Sequence, residues 1–495
     1  MSRFSGKTAI SINADIRFLL RFLCAHFIVW ATVPALLKPT LHPDSIEAIN
    51  WGIIGGWVAD KHPPLSGFVS NLFFQIFGGS DVSIYILSQL FMLSTFVYVW
   101  RLANLIFRNG RKSLAAVMLL EGVFYYSVTA ADQFNCNIIS VTLWAAATYY
   151  LYKATHDGRV WDWAMFGLMV ALATLDKYSV TFFLAGAAFY IFAAKEGREQ
   201  IKRPGAYIAA AIMLVLLMPH IYWLIKSDFF MLQYARQYLT PQESWLTRFI
   251  EPFRFIAAQL LAAIGAVVIY FWCVRKDVRE QRVNNDKVFI LSLGLIPMLV
   301  IAVKGFIFNS HLATMWGIPT LYMTGIMLVF FFPVQISDES FASLRRGVYI
   351  FMVFIALVCS IRYVTTTSQR IRFDKLQFIS EIEQKWVQNA TGAPLAYVYG
   401  DTWATSIMSV YCPEHPHTIL YVDKFYRREF TPEKLTANGI IIFTDRESLM
   451  GQRQAELGVS VPVNEYNFEN KAWFGGRSKN YKMFYSIIPP DKKLR

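Results

Sequence analysis

Apolar runs of about twenty residues, parted by short polar breaks, recur through most of this 495-residue chain. A run of that length crosses ~30 Å of hydrocarbon as a helix. The pattern predicts spans at about 17–37, 82–106, 113–130, 134–152, 162–176, 178–194, 206–225, 255–273, 288–303, 312–332 and 346–363. About eleven spans place the two termini on opposite sides of the membrane. The first run is long and lacks a small-residue cleavage site, so it reads as a retained anchor rather than a signal peptide.

Residues 38–80 break the pattern. Positions 44–57 mix Ile and Trp with Asp, Glu and Asn, as a helix lying along the membrane interface does. Pro63-Pro64 then ends one element and begins another, since proline suits the first turn of a helix. Residues 65–77, followed by Gly78-Gly79-Ser80, are too few to span comfortably and read as a second interfacial or half-inserted helix, or as a plain hydrophobic loop. After about residue 364 the chain turns soluble. Short buried strands are predicted at 396–399, 418–422 and 440–444, and helices at 373–388 and 432–437. Strands alternating with helices imply a small α/β domain over 364–495, following a membrane module over 1–363.

Composition agrees: 55% of residues are hydrophobic and only 16% charged, which excludes an ordinary soluble enzyme. The net charge of +13 would suggest nucleic acid, but its distribution does not. Basic residues gather in alternate loops (Arg108, Arg111 and Lys112; Lys195 to Arg203; Arg275 to Lys287; Arg345 and Arg346) and near the start at Arg3, Lys7, Arg17 and Arg21. All fall on one side if the N-terminus is cytoplasmic, which leaves residues 364–495 outside. No pair among the five cysteines suggests a disulfide or a zinc site.

On the outer side every connection carries a charged or titratable group. The first loop holds Asp44, Glu47, Asp60, Lys61 and His62, and the next turn Asp132. Asp176-Lys177-Tyr178 follows, then Lys226 to Arg254, and finally Lys304, Asn309 and His311. Asp44 and Glu47 share a helix face at i, i+3. One carboxylate could take a proton from an attacking hydroxyl while the other orients it, or Asp44 simply caps its helix after Pro43. Lys61, Lys177 and Lys304 could neutralise a lipid phosphate, or each could snorkel to the interface. His62, His220 and His311 could hold a divalent metal, or serve only as hydrogen-bonding groups; no compact ligand spacing decides it.

Taken in order, Asp44-Ser45-Ile46-Glu47, Trp51-Gly52, Asp60-Lys61-His62-Pro63-Pro64-Leu65, Ala131-Asp132, Leu175-Asp176-Lys177-Tyr178 and Lys304-Gly305 through Pro319 resemble the GT-C glycosyltransferases that use polyprenyl-phosphate sugars. The nearest groups are the bacterial family-39-type and aminoarabinose-transferase-like enzymes, kin to the protein O-mannosyltransferases. The resemblance implies a helical polytopic GT-C module, and an inverting sugar transfer on the periplasmic face of a bacterial inner membrane. The donor would be a polyprenyl-phosphate sugar and the acceptor a lipid or glycan such as lipid A or lipopolysaccharide core. It further implies that Asp44 is the general base and that Asp132 assists, while Lys61, Lys177 and Lys304 lie where the donor phosphate is held. Two departures stand out. Many relatives have an adjacent Asp-Glu in the first loop, split here into Asp44 and Glu47. Many aminoarabinose-type members read Glu-Lys-Pro-Pro, whereas here His62 stands between Lys61 and the prolines. Competing classes are a lipid-linked sugar transporter or flippase, which would show repeated halves and midplane charges, and a non-catalytic envelope assembly protein.

Overall fold

The computed structural model describes residues 5–57, 59, 61–237, 244–280, 286–390, 392–420 and 430–490. The chain divides into two compact units, one of Met1–Val33, Tyr85–Ile221 and Ala235–Cys359, the other of Pro34–Ile84, Tyr222–Tyr234 and Ser360–Arg495.

The first unit is helical. Each of the eleven apolar segments falls on helix, beginning with α1 (Ser5–Leu37) and, after the first loop, α4 (Asp81–Phe107). By length and composition, however, four helices among the described residues could cross a membrane, or up to nine when each bent pair counts once. Helix Gly110–Gly122, for instance, meets Tyr125–Asp132 at 70°. The difference from eleven lies in Cys136–Asp157 and Val160–Asp176. The second has only 17 residues. The first is buried around most of its circumference, so Asn137, Ser140, Thr142 and Thr148 are tolerated there at the expense of hydropathy. Helices approach closely where side chains vanish. A methyl on Gly265 would lie 2.5 Å from the Gly122 carbonyl oxygen, so only glycine permits this crossing. Between α1 and the broken helix, buried Glu121 accepts from Trp30 Nε1 at 2.7 Å and faces His26 Nδ1 at 2.6 Å.

The second unit joins the first loop to the C-terminal tail. Its sheet runs in the order β2-β1-β3-β5-β4, where β1 is Tyr397–Gly400, β2 His417–Ile419, β3 Ile440–Thr444, β4 Asn464–Lys471 and β5 Ser478–Ile488. β1 lies parallel to β2 and β3, while β5 runs antiparallel to β3 and β4. Every residue of β3 is buried, as suits a strand covered on both faces. Ile440 and Ile442 join Leu435, Met450 and Phe484 on one side. On the other, Phe443 meets Phe378 of helix Lys375–Ala390 with ring centroids 5.8 Å apart. The three strands read from the sequence are β1, β2 and β3, although residues 421–422 of the second lie outside the described residues. The hairpin β4–β5 was not foreseen.

The loop 38–80 contributes α2 (Pro43–Ile54) and α3 (Leu65–Ile76). α2 is packed within protein, with Ser45 through Trp51 all buried. It sits between α3 and helix Thr402–Tyr411, with Asn50 Nδ2 donating to Ser406 Oγ and to Thr418 Oγ1, each at 3.1 Å. Gly52 lets α2 and α3 meet: a methyl there would overlap the Gly67 carbonyl and the Asn71 side chain. Gly52→Ala is therefore expected to destabilise this unit by about 1–3 kcal/mol, the usual penalty of overpacking. A lowered midpoint in thermal unfolding of the purified protein checks it; an unchanged midpoint shows that α3 yields freely.

Candidate functional site

The candidate residues fall into two groups, one in each unit. In the second unit, Pro43 opens α2 and His42 is its cap, with the His42 Nδ1 accepting from the Asp44 backbone N–H at 3.3 Å. The cap reading of Asp44 is thus corrected: Asp44 stands in the first turn and its carboxylate remains 39% exposed, with Oδ1 3.9 Å from His42 Nδ1. One turn on, the Glu47 side chain is only 12% exposed and accepts from Lys61 Nζ at 2.6 Å. Lys61 reaches it because Pro63-Pro64 turns the chain into α3, which crosses α2 at Gly52. His62 places its ring edge-on to Trp51, centroids 5.7 Å apart. Asp60 lies outside the described residues.

The tail adds a residue that sequence reasoning missed. Asp401 follows β1 and caps helix Thr402–Tyr411, accepting from the Ala404 N–H at 2.9 Å. Burial raises its pKa above the usual carboxylate value, while the Lys61 charge acts the other way. The Lys61 charge thus reaches Asp401. The signal was present: a glycine, then aspartate, at the junction of a strand and a helix is a capping signature.

In the first unit, Asp132 is half-buried at the end of a short helix, Ala130–Asp132. Asn135 caps the next helix. From that helix, Asn137 Oδ1 accepts from Lys177 Nζ at 2.6 Å. Asp176, beside Lys177 in sequence, instead accepts from Ser140 Oγ at 2.6 Å, so adjacency did not predict the hydrogen bond. Lys177 is buried, at 9% exposure. Lys304 stacks over the Trp316 ring, 4.6 Å from its centroid. His311 belongs to a cluster missed from sequence: buried Glu251 accepts from Arg254 at 2.7 Å and from the Leu312 N–H at 2.8 Å, and lies 3.1 Å from His311 Nδ1. Its signal was a Glu and an Arg at i, i+3 at the edge of an apolar helix.

Among the described residues, no group with metal-ligand geometry includes His62, His220 or His311. His62 packs on Trp51, His220 Nε2 is 2.7 Å from the Tyr178 hydroxyl, and His311 is held by Glu251. Among the described residues, the group with metal-ligand geometry is Glu383, Cys412 and Glu414 in the tail. There the buried thiol lies 3.0 and 3.1 Å from the two carboxylates, and burial and those hydrogen bonds push its pKa well up.

The family described as dolichyl-phosphate-mannose-protein mannosyltransferase matches residues 61–223. The crystal structure of ArnT from Cupriavidus metallidurans bound to undecaprenyl phosphate superposes with a TM-score of 0.58, covering 94% of this chain and 98% of that one at 13% identity. Its apo form gives 0.57 at 12% identity. The chain has the aminoarabinose-transferase-like GT-C fold. Two curated relatives from Rhizobium johnstonii are similar in sequence. Lipid A galacturonosyltransferase RgtD is 24% identical over 218 residues, and lipopolysaccharide core galacturonosyltransferase RgtB 22% identical over 220. Each match spans 43% of this chain and 43% of the relative. The family match takes in Lys61, Asp132 and Lys177 but stops short of Asp44, Glu47, Lys304 and His311.

Proposed function

We propose that this protein is a membrane glycosyltransferase that moves a sugar from a polyprenyl-phosphate donor to an envelope acceptor, lipid A or lipopolysaccharide core, at the periplasmic face of a bacterial inner membrane. The observation that carries the reading is Lys61, set by the Pro63-Pro64 turn against buried Glu47, one helical turn from the more exposed Asp44. This arrangement sits on a fold shared with a protein solved bound to undecaprenyl phosphate.

The reaction is a single displacement at the anomeric carbon. The acceptor oxygen forms the new bond from the face opposite the donor phosphate, and the old carbon–oxygen bond breaks with its electron pair passing to the polyprenyl phosphate. Asp44 takes the acceptor's proton. Of the two carboxylates on α2 it is the one suited to this, because the Lys61 ammonium already occupies Glu47. The leaving phosphate needs charge compensation more than a proton, and Lys61 supplies it. Asp132 assists at the acceptor side. Mass spectrometry of envelope lipids from cells with and without the protein tests the reading: one sugar should disappear from lipid A or core, and identical lipid profiles would sink it.

The N-terminus is assigned to the cytoplasm and the tail to the periplasm by the alternating basic loops. Hydrogen bonds from Asn50 to Ser406 and Thr418 support the first loop and the tail sharing one side. Reporter fusions after Arg345 and after Pro490 are expected to report opposite compartments. The same compartment for both would break the assignment.

A further inference from the structure

We propose that the tip of the β4–β5 hairpin is a second membrane contact, in which Trp473 and Phe474 enter the headgroup layer of an anionic phospholipid bilayer beside the last span. The strands pair as far as Lys471 and Ser478, and the Ala472 N–H donates to the Arg477 carbonyl at 2.9 Å to close the loop. Gly475 and Gly476 take the left-handed φ values, +90° and +62°, that the turn needs. The two aromatics beside them do no work for the turn, and they stand 53% and 67% exposed.

Their position is tied to the membrane span. The Phe474 N–H donates at 3.1 Å to the carbonyl of Val364, in the last turn of helix Asp338–Thr365. Asn470 Nδ2 and the Tyr481 hydroxyl both donate to the Thr367 carbonyl just beyond it, at 3.4 and 3.3 Å. Arg372 stacks on Trp473 with its guanidinium carbon 4.0 Å from the ring centroid, and donates to the Tyr363 carbonyl. Ile361, one turn before Val364, is exposed and apolar, as a lipid-facing residue is. The hairpin is thus held where hydrocarbon gives way to headgroups, the level that Trp and other aromatics favour. Around the tip Arg362, Arg370, Arg477 and Lys479 are exposed, and Lys471 pairs with Glu469 at 3.0 Å. This excess of positive charge selects an anionic lipid surface as the occupant.

The test uses the full-length protein in nanodiscs, with a spin label on Phe474→Cys and, as control, on the exposed Gln452→Cys. Wild-type protein labelled in the same way supplies the background from Cys24, the exposed native cysteine. Oxygen and a water-soluble nickel chelate then compete for each label. In phosphatidylglycerol discs the Phe474 label should lie about 5–10 Å below the phosphates, while the Gln452 label stays in water. Adding Arg477→Glu and Lys479→Glu should lift the Phe474 label outward, as should discs of phosphatidylcholine alone. Chelate access at Phe474 equal to that at Gln452 overturns the contact. Equal depth in both lipids overturns the preference for anionic headgroups.

Discussion

Asp44→Asn is expected to lower turnover by ~10²–10⁴-fold, the range typical of losing a general base, in a protein that remains folded. The amide has the shape of the carboxylate and cannot accept the acceptor's proton. The helix does not lose its cap, because the cap is His42 rather than Asp44. The side chain is also the more exposed of the two carboxylates on α2, so its replacement leaves the buried Glu47–Lys61 pair in place. Donor affinity should hold while turnover falls, and that split separates a base from a residue that only shapes the loop. The measurement is turnover by purified protein in nanodiscs beside the affinity for a polyprenyl-phosphate analogue. Turnover within a few-fold of wild type would move the base to Glu47 or Asp132.

Lys61→Gln should weaken donor binding by about 10- to 100-fold, corresponding to about 1.5–3 kcal/mol for a hydrogen bond to a charged group. An amide cannot compensate the phosphate charge, and the acceptor's KM should change much less. The same change at Lys177 or Lys304 should also weaken the donor more than the acceptor, but by less than at Lys61. Lys177 is buried against Asn137, and Lys304 lies across Trp316. Removing Lys61 also removes a cation that buried Glu47 accepts from, so some loss of stability should accompany the loss of affinity. Lys61→Arg keeps that charge and should restore stability with part of the donor affinity. Unchanged donor affinity in all three Lys→Gln variants, with the fold intact, would make these lysines interface anchors.

Much of the architecture was legible because it is local. Apolar length marks a span wherever it occurs, and each of the eleven apolar segments proved helical. Pro63-Pro64 marked the start of α3 for the same reason, since proline restricts its own backbone whatever surrounds it, although α2 had already ended at Ile54. In the tail, β3 betrayed itself as a run of Ile and Phe buried on both faces. β4 did not. Asn464–Lys471 is polar and mostly exposed, and it becomes a strand by pairing with β5 at the sheet edge. No window of sequence contains that partner's register.

The candidate chemistry divides in the same way. Residue type and helical spacing were enough to single out Asp44 and Glu47 on one helix, and Lys61, Lys177 and Lys304 as cations at outer turns. Which charge meets which was decided by the tertiary structure. Glu47 meets Lys61 because α2 and α3 cross at Gly52, while Lys177 meets Asn137 rather than its neighbour Asp176. Asp401 and Glu251 went unnoticed because each looks like an ordinary helix-end acid in its own segment. Asp401 comes within reach of the Lys61 charge only when the tail packs on α2, and Glu251, whose Arg254 partner is local, acquires His311 and the Leu312 N–H only when the segment after helix Ile296–Phe308 packs against it. Hydropathy and propensity are properties of a residue and its near neighbours, and they determined the elements. Ion pairing depends on distance and burial set by contacts hundreds of residues apart, as with Asn50 and Ser406, and only the folded chain decides those.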